Sequence, residues 1–522
     1  MDKKFGAGNW REYIPVPIYD EHPEYNKFYY KAWELAYSHI KNIPGMPQNP
    51  YMDEAFCDTQ IWIWDTCFMS LFCKYARDVF PGVESLKNFY EVLHGDGRLG
   101  VVIPTENEPE WIGAKVGKPY EVMIHIADNP PLFSWVEFEN VLMSGDNEYI
   151  KDLLYNKCFL QKHYEWIENL HKSISVKGVF APTCLIAEKL GYKWEGARSG
   201  MDNTPRGRTG EHALKQRPNN PDMLWIDAIC QQALSANMIS KLYALIDDER
   251  NYRMWHDKFI EKKKIVNEYY WDAKDGFYYD IDCKNHDYMK VKSIASYWTL
   301  TAGIASKEQA TVLAKHLDNP DIFGGFVPFV SLARNDNDFK PDGDYWRGGV
   351  WLPTAYVTLK GLKEYGFIKE ARSYSIKLLE HMYRTYVDFE PHTIWEAYSP
   401  TESKPASNEM ESGELSRPDF CGWSALGPIS IYIEFILGFH TINAFTKTIE
   451  WNKPDNVKGE IGIKNLHFGN IFTDIVALND KCRVKSTDEY TLIINGKTYR
   501  IVSGENEFSI IKGMLKICAT NL

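Results

Sequence analysis

Val350-Trp-Leu-Pro-Thr-Ala-Tyr-Val-Thr-Leu-Lys-Gly-Leu-Lys-Glu364 sets Leu352, Ala355, Tyr356, Leu359 and Leu362 at three- and four-residue spacing, which gathers them on one face of a helix. Gly366 stops that helix, and residues 368–386 resume the same period. Two helices joined by so short a turn lie antiparallel, as an αα-hairpin. The pattern extends in both directions. Helical periodicity recurs over 25–41, 66–79, 81–94, 132–143, 148–171, 221–246, 249–270, 307–316 and 423–439, without the strand–helix alternation that builds a parallel sheet. No short repeat of the solenoid kind accompanies it. The expected fold is therefore mainly α, a toroid of helix pairs whose inner helices pack on one another and whose long loops gather at one mouth.

The ends of the chain read differently. Residues 1–22 are rich in Pro, Gly and charge and are expected as an extended lead-in, with the helical domain over 23–458. From 459 to 522 short alternating strands follow, notably 490–494 and 498–502 around Asn495-Gly496, a two-residue hairpin turn; this is expected as a small β appendage. Asp275-Gly276 supplies another hairpin turn, and its neighbouring acids lack the ligand ladder of a calcium loop.

Composition narrows the function. A share of 44% apolar residues, with 17 Trp, 32 Tyr and 26 Phe, furnishes a large core and leaves aromatics for a pocket. The net charge of -12 argues against nucleic acid, which calls for a basic face, and favours a neutral or cationic small ligand. Ten cysteines without a CxxC pair read as reduced, mostly buried thiols. No apolar run of about 18 residues spans a membrane, and the amino terminus lacks a signal-like apolar core. The expected location is the cytoplasm, the periplasm being the alternative if a signal peptide has been removed. Phosphate loops, zinc-spaced clusters and Ser nucleophile elbows are not evident, so neither metal nor organic cofactor is expected.

Two loops carry the candidate chemistry. Ala197-Arg-Ser-Gly-Met-Asp-Asn-Thr-Pro-Arg-Gly-Arg208 presents Asp202 among turn formers and arginines, and Thr393 to Pro400 presents Glu396 between Trp395 and Tyr398. Glycosidic bonds break through an oxocarbenium-like transition state, which needs one acid to protonate the leaving oxygen and a second carboxylate to direct water or act as nucleophile. An aromatic beside the carboxylate gives the sugar ring its platform. Each acid has a plainer reading, Asp202 as a turn cap and Glu396 as a loop acid. Trp62, Trp64 and Asp65 at a helix start suit sugar hydroxyls, and equally suit core aromatics with Asp65 as N-cap. The irregular stretch 99–120 has the length of a functional loop.

Gly200-Met-Asp-Asn-Thr-Pro-Arg206 resembles the Gly-Met-Asp-Asn-Ser-Pro-Arg segment of glycoside hydrolase family 63, the family of processing α-glucosidases and mannosylglycerate hydrolases, with Thr204 in place of Ser. Trp64-Asp-Thr-Cys-Phe68, Tyr345-Trp-Arg-Gly-Gly-Val-Trp351, Trp395-Glu-Ala-Tyr398 and Phe420-Cys-Gly-Trp-Ser-Ala-Leu-Gly-Pro428 resemble further segments of it in the same order. The resemblance implies an (α/α)6 barrel and an inverting α-glycosidase acting on a small glucoside or mannoside. It implies Asp202 as general acid, Glu396 as general base, and Trp64, Asp65, Arg206, Trp346, Arg347, Trp395 and Trp423 about the sugar. Arg198 stands where the family commonly has Glu, and Asp128-Asn-Pro-Pro131 where Gln precedes the prolines, which bears on the substrate more than on the reaction. Other readings are a trehalase-like hydrolase, a toroidal lyase or epimerase drawing on His125, His392 or Tyr398, and a non-catalytic carbohydrate-binding protein.

Overall fold

The computed structural model describes residues 3–55, 59–100, 102–107, 115–118, 131–171, 175–176, 179–180, 185–194, 196–207, 220–408 and 415–510. Among these, six helices touch in a circuit: α1 (Ile63–Cys73), α2 (Phe133–Ser144), α3 (Ile226–Leu245), α4 (Trp298–Thr301), α5 (Leu352–Glu364) and α6 (Gly427–Ile436, wound wide as a π-helix). Each contacts the next, and α6 returns to α1. A second layer lies outside: Gly82–Glu91 on α1, Glu249–Tyr269 along α3, Ile368–Asp388 on α5 and α6, and Glu24–Ser38 on α6.

The two layers differ in sequence for a physical reason. Outer Glu249–Tyr269 fully buries only Trp255, Phe259 and Val266, a stripe four and seven residues apart, and leaves the rest half-buried or exposed. Inner α5 is buried from Leu352 to Leu362, on every side rather than on the single face its periodicity suggests. Its polar residues are satisfied internally: Thr358 Oγ1 donates to the Thr354 carbonyl at 2.7 Å. Gly361 lets α4 approach, since a Cβ there would meet the Leu300 Cβ at 2.5 Å.

The C-terminal halves of the inner helices meet in a closed ring of charge. Lys74 Nζ lies 3.0 Å from both Glu139 and Glu434, and Lys360 Nζ lies 2.8 Å from Glu139 and 3.4 Å from Glu434. The hydroxyls of Tyr75 and Tyr356 donate to Glu434 Oε1 at 2.9 and 2.8 Å. Burial alone would raise the Glu139 carboxyl, but Lys360 and Lys74 hold it well below its usual range. Lysines at helix C-termini also face the negative end of the helix dipole. This end is thereby sealed, and the opposite end, where α1, α3 and α5 begin, carries the loops.

Several boundaries depart from the sequence expectation. The helix expected over 148–171 is broken: Asn147–Lys151 runs into the wide turn Asp152–Lys157, Cys158 is left-handed at φ 52°, and Phe159–Glu168 restarts. Residues 223–224 form a strand paired with Ile281 and Asp282, so α3 begins only at Ile226. The lead-in is no bare extension, because Val16–Tyr19 forms the edge of a five-stranded sheet with Glu460–Phe468, Ile471–Leu478, Lys481–Ser486 and Gly504–Ser509. Strands start at Thr441, within a second, four-stranded sheet that contains the Tyr490–Ile494 and Lys497–Ile501 hairpin. Asn495 and Gly496 turn that hairpin at φ 48° and 78°, the paired positive values of a type I′ turn. The described cysteines, at 67, 73, 158, 230, 283, 421 and 482, are free thiols.

Candidate active site

Glu396 is wholly buried, and its backbone is tied on both sides. Its N–H donates to the Arg417 carbonyl at 2.8 Å, and its carbonyl accepts from the Trp423 indole at 2.9 Å and Ser424 Oγ at 3.2 Å. Donors also face the carboxylate: Arg417 Nη1 and the Tyr345 hydroxyl reach Oε1 at 3.2 and 3.4 Å, and the Arg417 N–H reaches Oε2 at 3.2 Å. A carboxylate so bound has one orientation.

Asp202 is half-buried, in the turn that follows the short helix Gly196–Ser199. Gly200 at φ 82° brings that turn against Trp64, whose ring would stand 3.2 Å from any Cβ placed there. The wall beneath is Arg206. Its Nε and Nη2 donate to Asp280 at 2.8 and 2.6 Å, its Nη1 and Nη2 to Asp227 at 2.8 Å each, and its remaining Nη1–H faces Met201 Sδ at 3.8 Å. The guanidinium also lies over the Trp225 ring, 4.5 Å from its centroid. With every N–H taken and no exposure, Arg206 has nothing left to offer a sugar; the expected binding role is corrected to that of an anchor for the Asp202 loop.

Asp65 lies in the first turn of α1, where Trp62 occupies the N-cap position, so the alternative reading of Asp65 as N-cap fails. Burial, and then the charges of Glu396 and Asp202, push its carboxyl well above the usual range, against the pull of Arg417. The charges of Glu396 and Asp202 thus both act on the Asp65 carboxyl. Among the described residues, Asp65 Oδ1 and the indole N–H groups of Trp64 and Trp395 are buried without a hydrogen-bond partner. Each such group costs about 1–3 kcal/mol when left without a partner.

The other expected residues divide. Trp346 is stacked at 4.2 Å on Trp351 with rings 6° from parallel, and Trp423 spends its N–H on the Glu396 carbonyl; both brace the site from within the core. Arg347 is half-buried, with Nε 3.4 Å from the Asn203 carbonyl. The side chain of Arg198, His125 and Asp128-Asn-Pro130 lie outside the described residues, as does part of the loop at 99–120, of which Val102–Pro104 pairs with Gln60–Trp62. Sequence reading missed Arg417, which no spacing ties to Glu396 across 21 positions.

It also missed Glu54. This fully buried residue accepts from the Trp62 N–H at 2.6 Å through Oε1, and its Oε2 has no partner among the described residues. Burial, then Asp65 and Asp53, raise its carboxyl well above the ordinary value. A raised carboxyl favours folding fully below its unfolded pKa of about 4.3 and loses that contribution as pH climbs toward the folded value. Glu54→Gln, which keeps the acceptor for Trp62, is therefore expected to raise Tm at pH 7 and to change it little at pH 4. Differential scanning calorimetry across that range checks it, and a gain independent of pH would contradict it.

A pair of carboxyls is the equipment for cleaving a glycosidic bond, the chemistry of the glycoside hydrolases. Residues 59–417 match the family model described as the mannosylglycerate hydrolase MGH1-like glycoside hydrolase domain, and the chain belongs to that family. Among relatives, an uncharacterized protein of Borreliella burgdorferi is 26% identical over 457 residues, covering 84% of this chain and 86% of that one. A cytosolic neutral trehalase of Neurospora crassa is 25% identical over 365 residues, covering 69% of this chain; the chain spans 46% of that trehalase's length. The fold is shared with a family 63 mannosylglycerate hydrolase of Thermus thermophilus solved with glucose, at TM-score 0.55 and 17% identity, over 77% of this chain and 99% of that one. No helix among the described residues is long and apolar enough to cross a membrane.

Proposed function

We propose that this chain is an inverting α-glycosidase that hydrolyses a small α-linked glucoside or mannoside on an (α/α)6 barrel, its β appendage over 459–522 being joined by the strands at 441–451 and 16–19. The observation that supports the reading most is the family match over residues 59–417, within which the charges of Asp202 and Glu396 both act on buried Asp65. Asp202, on the half-exposed turn, protonates the leaving oxygen. Glu396, turned by Arg417 and Tyr345, takes a proton from water as that water attacks the anomeric carbon from the opposite face. The bond to the leaving oxygen breaks as the bond to water forms, which inverts the centre. That geometry calls for carboxyls about 6.5–9.5 Å apart, with the water between them. Trp64, Asp65, Trp395 and Arg347 hold the sugar, and the free thiols accord with a cytoplasmic setting.

The similarity to neutral trehalases favours trehalose as one substrate to try, itself an α-linked glucoside. A lyase finds less support. His392 sits exposed beside Glu390, and the Tyr398 phenol, raised by burial, accepts from the backbone N–H of Trp395. Proton NMR of the anomeric region during turnover of α-glucosides, trehalose and mannosylglycerate tests the reaction. Early appearance of the β-anomer from one α-linked substrate is expected; retention of configuration would sink the inverting scheme, and an unsaturated product absorbing in the ultraviolet would replace it with elimination.

A further inference from the structure

Asn203 follows the proposed acid directly and is wholly buried. Its side chain bridges the two sides of Tyr345: Nδ2 donates to the Asp344 carbonyl at 2.9 Å, and Oδ1 accepts from the Trp346 N–H at 2.8 Å. Between those bonds the backbone is left-handed, at φ 32° for Asp344 and 62° for Tyr345, a conformation that persists only where the surroundings enforce it. The enforcement is complete around Tyr345. Its N–H donates to the Ser407 carbonyl at 2.9 Å, its carbonyl accepts from the Trp351 indole at 3.0 Å, and its ring meets Trp351 edge-on at 4.7 Å. What this conformation achieves is direction, because it aims the phenol at Glu396 Oε1, 3.4 Å away.

We propose that Asn203 is a positioning residue that sets Asp202 and Glu396 in register, acting through the left-handed turn at Tyr345. The inference rests on the assignment of those two carboxyls as acid and base. Inversion needs a water held between them, and a misplacement of about 1 Å costs on the order of 100-fold in rate.

The test uses the full chain carrying Asn203→Ala, Asn203→Asp, Tyr345→Phe or Asp202→Asn, with kcat, KM, the pH profile of kcat/KM and the thermal midpoint measured for each. Asn203→Ala is expected to lose about 100-fold in kcat with KM within about threefold. Asn203→Asp, which still accepts from Trp346 but cannot donate to Asp344, is expected to lose nearly as much. Tyr345→Phe keeps the ring packing and is expected to move the acidic limb of the profile to higher pH, since a donor to the ionised Glu396 is gone. An unmoved limb in Tyr345→Phe, or kcat within about twofold of the parent in Asn203→Ala, overturns the brace even where Asp202→Asn is inactive. An active Asp202→Asn overturns the acid assignment beneath it instead.

Discussion

Glu396→Gln is expected to lower kcat by about 10³–10⁴-fold while KM moves little, because the amide cannot take the proton of the attacking water. The exchange keeps the size of a wholly buried side chain and leaves Oε1 an acceptor for Arg417 and Tyr345, giving up only the bond that Oε2 accepts from the Arg417 N–H. Asp202→Asn is expected to lose a similar factor on an ordinary glycoside, whose leaving alkoxide needs a proton. The two losses separate on a glycosyl fluoride of the same sugar. Fluoride departs without protonation, so Asp202→Asn recovers much of the rate there and Glu396→Gln does not. Steady-state kinetics on both substrates, with thermal midpoints to establish folding, decide the roles. Equal losses on the fluoride would remove Asp202 from the acid role, and a folded Glu396→Gln within about tenfold of the parent would remove Glu396 from the base role.

What the sequence made legible was whatever repeats locally. The helix pairs were readable because the period of α5 and the stop at Gly366 are local signals, and the Asn495-Gly496 hairpin was readable because its turn demands those residues. Periodicity could not say that α5 is inner and buried all round, since Thr354, Thr358 and Lys360 look like a wet face until the two threonines are seen bonded to their own helix and Lys360 to Glu139 on α2. The break at Cys158 was invisible for a related reason: no Gly or Pro marks it. Within the site, the motif residues Asp202 and Glu396 both act on the Asp65 carboxyl through their charges. Roles inside the motifs were less legible than membership. Trp346, Trp423 and Arg206 belong to the same segments, yet Trp346 stacks on Trp351, the Trp423 indole donates to the Glu396 carbonyl, and Arg206 is spent on two buried carboxylates. Arg417 and Glu54 had no local signal at all, because their meaning lies in contacts between distant segments.

Arg206 gives that distinction its clearest measurement. A sugar-binding arginine would announce itself through KM, with stability unchanged. The arginine in this structure pairs two fully buried carboxylates at 2.6–2.8 Å, Asp227 at the first turn of α3 and Asp280 on the strand Asp280–Asp282, and Asp280 Oδ1 also accepts the Ile226 N–H at 2.8 Å. Its departure strands both negative charges in the core. Arg206→Met, which fills similar volume without charge, is therefore expected to lower unfolding stability by about 3–5 kcal/mol, the usual cost of removing one partner from a buried ion pair. Desolvation works against the charged guanidinium, but Asp227 and then Asp280 more than offset it, so Arg206 stays ionised at every accessible pH. Arg206→Lys keeps the charge and loses the fork that serves two carboxylates at once, so an intermediate loss is expected. Adding Asp227→Asn and Asp280→Asn to Arg206→Met should recover part of the deficit, since the stranded charges are then absent. Urea denaturation at pH 7, with the midpoint shifting and the slope constant, reads the effect directly. A folded Arg206→Met with parental stability and a raised KM would return this residue to the sugar.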